Sequence, residues 1–226
     1  MFAKLRGLRH SKNKSGDDEE HEEEDAKYVK VLGNEIYFKG EVNEDSVHEL
    51  NTTLRKVQMD LISKSASMGL SEPPGIIVYI RSDGGCLFSG LSGMDHIKSM
   101  RLHVTTVADG WCCSAASLLL LGGHTRLMRK NSYVLIHQLS STIWGKFEEL
   151  KDEMNAANKF MDHIKRIYRE ETNITDKKLN KLMKRDIYLD FDDCMRYGII
   201  SGVFPLLAGK PSPKDEDRKS TRLNSS

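Results

Sequence analysis

The sequence contains little that would form a cross-linked or membrane-spanning protein. It has four cysteines and five prolines in 226 residues, and the cysteine spacing fits neither a disulfide framework nor a zinc site. No apolar run approaches the ~20 residues of a membrane span. The basic N-terminal stretch has no apolar segment, so it is not a secretory signal. These absences favour a protein of a reducing compartment, with the cytoplasm as the first expectation and small buried roles for Cys112 and Cys113.

The charge balance excludes a general attraction to nucleic acid or to membranes, because the formal net charge is only +1. Charge patterning predicts three regions: a disordered charged leader at 1–27, one domain at 28–208 and a polar tail at 209–226. For the basic start of the leader, a transit peptide stays open as an alternative. Residues 217–226 match a reading-frame translation of a common sequencing adapter, so we expect them to be an artefact outside the fold.

Hydrophobic periodicity predicts an α/β fold with a mainly parallel sheet. The runs 76–80 and 104–108 are continuously apolar or β-branched, as in strands covered on both faces. Apolar residues spaced by three and four predict helices around them. Strands that alternate with helices indicate right-handed crossovers. Further strands are predicted at 36–38, 126–128, 133–136 and 199–203.

Local signals predict where helices begin and end. Cap oxygens at 43–45 and at Thr175 precede two helices, and 190–197 forms a short helix. The longest helix covers 146–171 and carries one apolar stripe, which suits packing against the body and against a neighbouring subunit. The segment 63–74 is predicted to be a loop.

The stretch 105–117 is the most informative part of the chain. A β-branched run leads into Gly110, small residues surround Ser114, and an apolar run at 118–121 follows. This pattern predicts a strand, a sharp turn at Ser114 and a buried helix. The first N–H groups of that helix have no intrahelical partner and suit an oxyanion beside the hydroxyl. The alternative is that Ser114 is only the helix N-cap.

Three other positions add the groups that acyl transfer requires. Gly84 and Gly85 follow a buried strand, where the backbone can approach a ligand closely. His137 ends a predicted strand, and Asp186 lies just beyond a predicted helix. A serine nucleophile needs a base within hydrogen-bond reach and a carboxylate on the far imidazole nitrogen. Taken singly, His137 also fits a satisfied core histidine, and Asp186 a surface ion pair.

Taken together, these motifs resemble those of the Clp protease proteolytic subunit family, over about residues 36–203. The strand–glycine motif reads Val78-Tyr79-Ile80-Arg81-Ser82-Asp83-Gly84-Gly85, and the nucleophile motif reads Gly110-Trp111-Cys112-Cys113-Ser114-Ala115-Ala116. The histidine motif reads Val134-Leu135-Ile136-His137-Gln138, and the acidic segment reads Lys184-Arg185-Asp186.

The resemblance implies repeated βαβ units in a spiral, as in the crotonase-like superfold, with the helix at 146–171 as a protruding handle. It implies a serine endopeptidase with Ser114 as nucleophile, His137 as general base and acid, and Asp186 as the residue that orients the histidine. It also implies an oxyanion hole formed by the N–H groups of Gly85 and Ala115. No metal and no cofactor of this chain are implied.

The resemblance further implies an assembly. Two stacked seven-membered rings would enclose a chamber. The handle helix would interlock the rings, and Arg185 would couple the contact between rings to the geometry of the triad. A ring ATPase unfoldase would use ATP and deliver unfolded polypeptides. An organellar stroma or matrix, or a phage-infected cell, are alternatives to the bacterial cytoplasm.

The sequence departs from the family's usual motifs at several positions. Arg81-Ser82-Asp83 stands for Asn-Ser-Pro, two cysteines stand for alanines before Ser114, and Ala115-Ala116 stands for Met-Gly. Leu139-Ser140-Ser141 stands where the family has Pro-Gly-Gly. Two other functions stay open: a non-catalytic ring subunit and a crotonase-like acyl-CoA enzyme. Neither requires the serine, the histidine and the aspartate together.

Overall fold

The structure, a computed structural model, describes residues 28–204 except positions 141 and 143. The predicted leader, the predicted tail with its adapter-like residues, and positions 205–208 of the predicted domain lie outside the described residues.

A mainly parallel, eight-stranded sheet forms the centre of the described chain. Its order is β1-β2-β3-β4-β5-β8, with β6 paired to β4 and β7 paired to β6. Among these strands, only the β1–β2 and β6–β7 pairs are antiparallel. The predicted α/β class and parallel sheet are therefore confirmed. The strands are β1 (Val29–Leu32), β2 (Glu35–Lys39), β3 (Ile76–Ser82), β4 (Val104–Cys113), β5 (Thr125–Met128), β6 (Tyr133–Leu135), β7 (Tyr188–Leu189) and β8 (Gly202–Val203).

The helices begin where local capping groups predict. Before the first helix, Asn43 Oδ1 accepts a hydrogen bond from the Ser46 N–H at 2.9 Å, and Ser46 Oγ accepts one from the Asn43 N–H. Asp190 caps the last helix in the same way, through the Asp193 N–H at 2.8 Å. The helices are α1 (Glu44–Ser67), α2 (Leu87–Lys98), α3 (Ala115–Leu121), α4 (Phe147–Glu171), α5 (Asp176–Met183) and α6 (Phe191–Arg196).

Two boundaries differ from the predictions. Helix α1 continues to Ser67, so the first part of the predicted loop 63–74 is helical, and the Met68 N–H donates to the Lys64 carbonyl at 3.0 Å. Backbone hydrogen bonds can extend a helix through a polar run that has no apolar periodicity, so the sequence pattern did not predict the last turns of α1. The predicted last strand at 199–203 is paired only at Gly202–Val203. The strands β1 and β7 were not predicted, because they are strands only through their pairing with β2 and β6, which no local sequence pattern indicates.

Strand β4 is longer than predicted, and it changes partners along its length. Its first half pairs with β5, while Trp111 to Cys113 pair with β6. Gly110 has φ +88°, and the register against β3 shifts between Ile80 and Ser82. This change of partner carries the strand end, and Ser114 with it, to the end of β6.

The core lies between the sheet and helices α1, α2 and α3. All seven residues of α3 are buried, so this helix runs through the interior directly behind Ser114. None of the described helices is long and apolar enough to span a bilayer. The largest fully buried side chains are Phe38, Ile36, Leu50, Leu54, Ile76, Ile80, Ile97, Leu119, Leu120, Leu121, Met128 and Ile136.

Candidate active site

Ser114 occupies a strained turn between β4 and α3. Its backbone has φ 53° and ψ −126°, and it is the sole non-glycine among the described residues with a positive φ. Such a conformation costs about 1–3 kcal/mol and is concentrated at functional sites. The Ser114 side chain makes no capping hydrogen bond to α3. The N-cap alternative therefore does not account for this serine, because its hydroxyl is left free for another role.

The surrounding backbone holds this turn in place. The Ser114 N–H donates to the Leu135 carbonyl of β6 at 2.8 Å. Gly84 has φ +97°, and a Cβ there would lie 2.6 Å from the Ser114 Cβ. Only glycine fits at this position, so the strand–glycine motif is explained by the direct approach of its backbone to the turn at Ser114.

Two residues with backbone N–H groups that are unpaired in the described chain line the same cleft as Ser114. The segment after β3 forms a parallel bridge to Val42, in which the Gly84 carbonyl accepts from the Val42 N–H and the Cys86 N–H donates to the Val42 carbonyl. In such a bridge the intervening Gly85 N–H points away from Val42. The Ala115 N–H is the first of α3 and has no intrahelical partner. Gly85 and Ala115 both line the cleft.

His137 lines the same cleft. It follows β6, and the next residue is anchored to α5 because the Gln138 N–H donates to the Met183 carbonyl at 2.9 Å. Its side chain is 23% exposed. Within the described part of the chain no hydrogen bond joins Ser114 and His137, as is common in unliganded sites, where catalytic hydrogen bonds are long.

Asp186 lies near the far nitrogen of the histidine ring. Its Oδ1 is 3.9 Å from His137 Nδ1, which is an ion-pair distance and too long for a hydrogen bond. The carboxylate is 77% exposed. The structure thus brings three remote segments to one edge, with the aspartate in the outermost position.

Arg185 is exposed beside Asp186. Its backbone N–H donates to the Leu182 carbonyl. Among the described residues, no side chain forms an ion pair with the Arg185 guanidinium.

The cleft itself is small, about 70 Å³ in volume. Ile164 and Tyr168 of helix α4 form one wall of the cleft. The sequence predicted these two residues only as part of an apolar stripe. No local signal marks them as site residues, because their contact with the cleft depends on how α4 packs. The lining residues are Gly85, Leu87, Ser114, Ala115, Leu118, His137, Gln138, Leu139, Ser140, Ile164 and Tyr168.

The two cysteines before Ser114 are packing residues, as predicted. Both side chains are buried. Burial raises the pKa of the Cys113 thiol to about 11, with the Asp83 charge as a smaller cause. At neutral pH this thiol stays protonated, so it does not compete with the serine as a nucleophile.

Comparison with known proteins identifies the family of the chain. The family model described as Clp protease matches residues 34–205. The ATP-dependent Clp protease proteolytic subunit 2 of Treponema denticola is 32% identical over 195 residues, which cover 85% of this chain and 90% of that protein. The subunit of the same name from Bacillus licheniformis is 31% identical over 130 residues, 57% of this chain and 68% of that protein.

A solved structure has the same fold. It is a ClpP1 variant from Listeria monocytogenes, which superimposes with a TM-score of 0.65 at 22% identity and covers 77% of this chain and 93% of that one. Because the family model covers most of this chain, and the Treponema relative aligns over nearly its whole length, the chain belongs to the Clp protease family of serine peptidases.

Proposed function

We propose that this chain cleaves peptide bonds through an acyl-enzyme on Ser114. His137 takes the hydroxyl proton as Ser114 Oγ attacks the scissile carbonyl carbon, and then gives that proton to the leaving amine. Water attacks the acyl carbon with His137 again as base, which releases the acid product and restores the serine. The proposal depends mainly on one observation. Ser114 has a strained backbone, its side chain makes no capping hydrogen bond to α3, and it lines one cleft with His137.

The N–H groups of Gly85 and Ala115 would stabilise the oxyanion of the tetrahedral intermediate. The supporting observation is that both residues line the cleft and that neither N–H donates to a backbone carbonyl in the described chain. Donors that are fixed before the reaction stabilise developing charge most effectively, because they need no reorganisation.

Asp186 would orient His137 by accepting the Nδ1–H. From 3.9 Å the carboxylate has to move inward by about 1 Å to reach hydrogen-bond distance, and its exposed side chain is free to do so. We expect this contact to close when substrate or a neighbouring subunit covers the aspartate.

We also propose that the chain forms two stacked seven-membered rings and works with a ring ATPase unfoldase on unfolded polypeptides. Exposed apolar side chains on α4, Phe147 and Met154, support a subunit contact there. The names of the relatives describe ATP-dependent proteolytic subunits. In this scheme the partner consumes ATP, and the chemistry at Ser114 uses only groups of this chain. Four free cysteines support a cytoplasmic or organellar interior.

A fluorophosphonate probe, which reacts with activated serines, tests the catalytic proposal. We expect labelling of the wild-type chain at Ser114, its loss in Ser114→Ala, and its retention in the control Ser92→Ala, an exposed serine on α2. With a short fluorogenic peptide, Ser114→Ala should lower kcat by about 10⁶-fold.

Two results would contradict the proposal. Equal hydrolysis by wild type and Ser114→Ala would exclude Ser114 as the nucleophile. An assembled particle that resists labelling at neutral pH would indicate a scaffold subunit instead.

A further inference from the structure

A chain of buried hydrogen bonds joins the backbone of Ser114 to helix α4. Ser117 Oγ donates to the Ser114 carbonyl oxygen at 2.5 Å, and the Tyr168 hydroxyl lies 2.5 Å from Ser117 Oγ. Ser117 is fully buried, and Tyr168 is 3% exposed. The two residues lie 51 positions apart in the sequence and belong to α3 and α4.

The direction of these bonds follows from the number of protons. A serine hydroxyl has one proton, and Ser117 gives it to the Ser114 carbonyl, so the phenol of Tyr168 must donate to Ser117 Oγ. Burial raises the pKa of Tyr168, which keeps the phenol protonated and able to donate. The Ser117 N–H also donates to the same carbonyl, at 2.9 Å.

The carbonyl that receives these bonds shares a peptide plane with the Ala115 N–H. A trans peptide is planar, and its C=O and N–H point in opposite directions. Fixing the Ser114 carbonyl toward Ser117 therefore fixes the Ala115 N–H toward the other side. In the function proposed above, this N–H is one of the two oxyanion donors, and Ala115 lines the cleft.

The anchor also restrains an unfavourable backbone conformation. Ser114 at φ 53° and ψ −126° would relax if the plane of the following peptide were free to rotate. On the other side of Ser114, its N–H is already held by the Leu135 carbonyl. The contact with Ser117 completes the restraint, and the phenol polarises the Ser117 hydroxyl that provides it.

We propose that Ser117 and Tyr168 are positioning residues that aim the Ala115 N–H at the oxyanion. The proposal rests on the function proposed above, in which Ser114 is the nucleophile. It assigns to the packed end of helix α4 a role in catalysis, in addition to its packing against the body.

The first test removes single hydroxyl groups. Tyr168→Phe keeps the ring in the cleft wall and removes only the donor, and Ser117→Ala removes the side-chain hydrogen bond to the Ser114 carbonyl while keeping the backbone one. We expect each variant to lower kcat for a short peptide about tenfold with KM within about twofold, because the oxyanion exists only in the transition state. The control is Tyr79→Phe, which loses a buried phenol bound to Glu35 away from the cleft and should leave kcat unchanged.

The double variant tests whether Tyr168 acts through Ser117. In the Ser117→Ala background, Tyr168→Phe should cause no further loss of kcat, so that the pair loses about tenfold and not about a hundredfold. If the losses of kcat in the two single variants multiply in the double variant, Tyr168 does not act through Ser117. The thermal unfolding of each variant is measured together with that of the control. If Tyr168→Phe does not fold, the kcat and KM of Ser117→Ala test the positioning role instead.

The failure of this inference is distinguishable from the failure of the proposed function. If Ser114→Ala hydrolyses peptide as fast as wild type, both proposals fall. If Ser114→Ala is inactive while Tyr168→Phe and Ser117→Ala match Tyr79→Phe in kcat, only the positioning role is overturned.

Discussion

At the scale of single residues, Gly84 determines how closely the chain can pack around Ser114. A Cβ at this position would meet the Ser114 Cβ at 2.6 Å and the Cys113 carbonyl oxygen at 2.7 Å. Both are fixed by the sheet and by α3, so neither yields without moving the turn at Ser114. The glycine therefore belongs to the site, although it supplies no side chain.

We predict that Gly84→Ala lowers peptide hydrolysis about 100-fold, because a displacement of about 1 Å at a reacting atom has an effect of that size. The matched control is Gly33→Ala, which also has a positive φ, +62°, but has open space around its Cβ. The control should lose about 1 kcal/mol of unfolding free energy and keep its activity. Equal activities of the two variants would contradict the steric explanation.

Cys86 is the reactive thiol of the described chain. It is exposed, and hydrogen bonds from the Ser89 backbone and side chain lower its pKa, because they stabilise the thiolate. Burial raises the pKa of Cys112, Cys113 and Cys194. The four cysteines therefore differ in reactivity by their surroundings alone.

We predict that iodoacetamide at neutral pH modifies Cys86 in the native protein and reaches the other three cysteines only after unfolding. The rate should fall as the pH is lowered through the pKa of Cys86, with a midpoint below that of an ordinary thiol. Peptide mapping by mass spectrometry locates the adduct, and Cys86→Ser should abolish native labelling. Native modification of Cys112 would contradict the burial argument.

At the scale of elements, α4 divides into two parts with different surroundings. Its C-terminal part buries Ile164, Ile167 and Tyr168 against the body. Its N-terminal part leaves Phe147 72% exposed and Met154 54% exposed, on the same apolar stripe. An apolar stripe without a partner in the described chain is typical of a subunit contact.

We predict that Met154→Glu weakens ring stacking while leaving the fold intact, because it places a charge in the proposed contact. The control Asn155→Glu adds the same charge at the next exposed position, off the stripe. Analytical ultracentrifugation should find smaller particles for Met154→Glu alone. Thermal unfolding of the dissociated subunits should be similar for both variants.

At the scale of the whole molecule, the aspartate end of the candidate site lies at the protein surface. Asp186 is largely exposed, and Arg185 has no ion-pair partner among the described residues. A single subunit thus leaves the outermost triad position uncovered. This arrangement favours a site whose geometry is completed in an assembly.

We predict that Arg185→Ala lowers both the particle mass and kcat, because loss of the subunit contact leaves Asp186 exposed. Lys184→Ala, which removes the neighbouring exposed cation, should change neither. The unfolding free energies of the dissociated subunits should differ by less than about 0.5 kcal/mol, as for most surface substitutions. Light scattering and peptide hydrolysis at matched protein concentrations measure the two effects, and an unchanged mass would contradict the role of Arg185.

Much of the fold was predictable because its signals are local. The cap residues Asn43 and Thr175 and the spacing of apolar residues predicted where helices begin, since both depend on groups within one or two turns. The runs in β3 and β4 predicted a covered parallel sheet in the same way. The short strands β1 and β7 were missed because they exist only through their pairing partners.

The sequence by itself determined the helices and the longer strands, and its motifs named Ser114, His137 and Asp186 as candidates, because short-range patterns and residue types are written directly in the chain. Only the tertiary structure decided that β4 changes partners at Gly110, that Asp186 is 3.9 Å from His137, and that Tyr168 reaches Ser117. These contacts join groups far apart along the chain. Their distances follow from how whole elements pack, which no local pattern specifies.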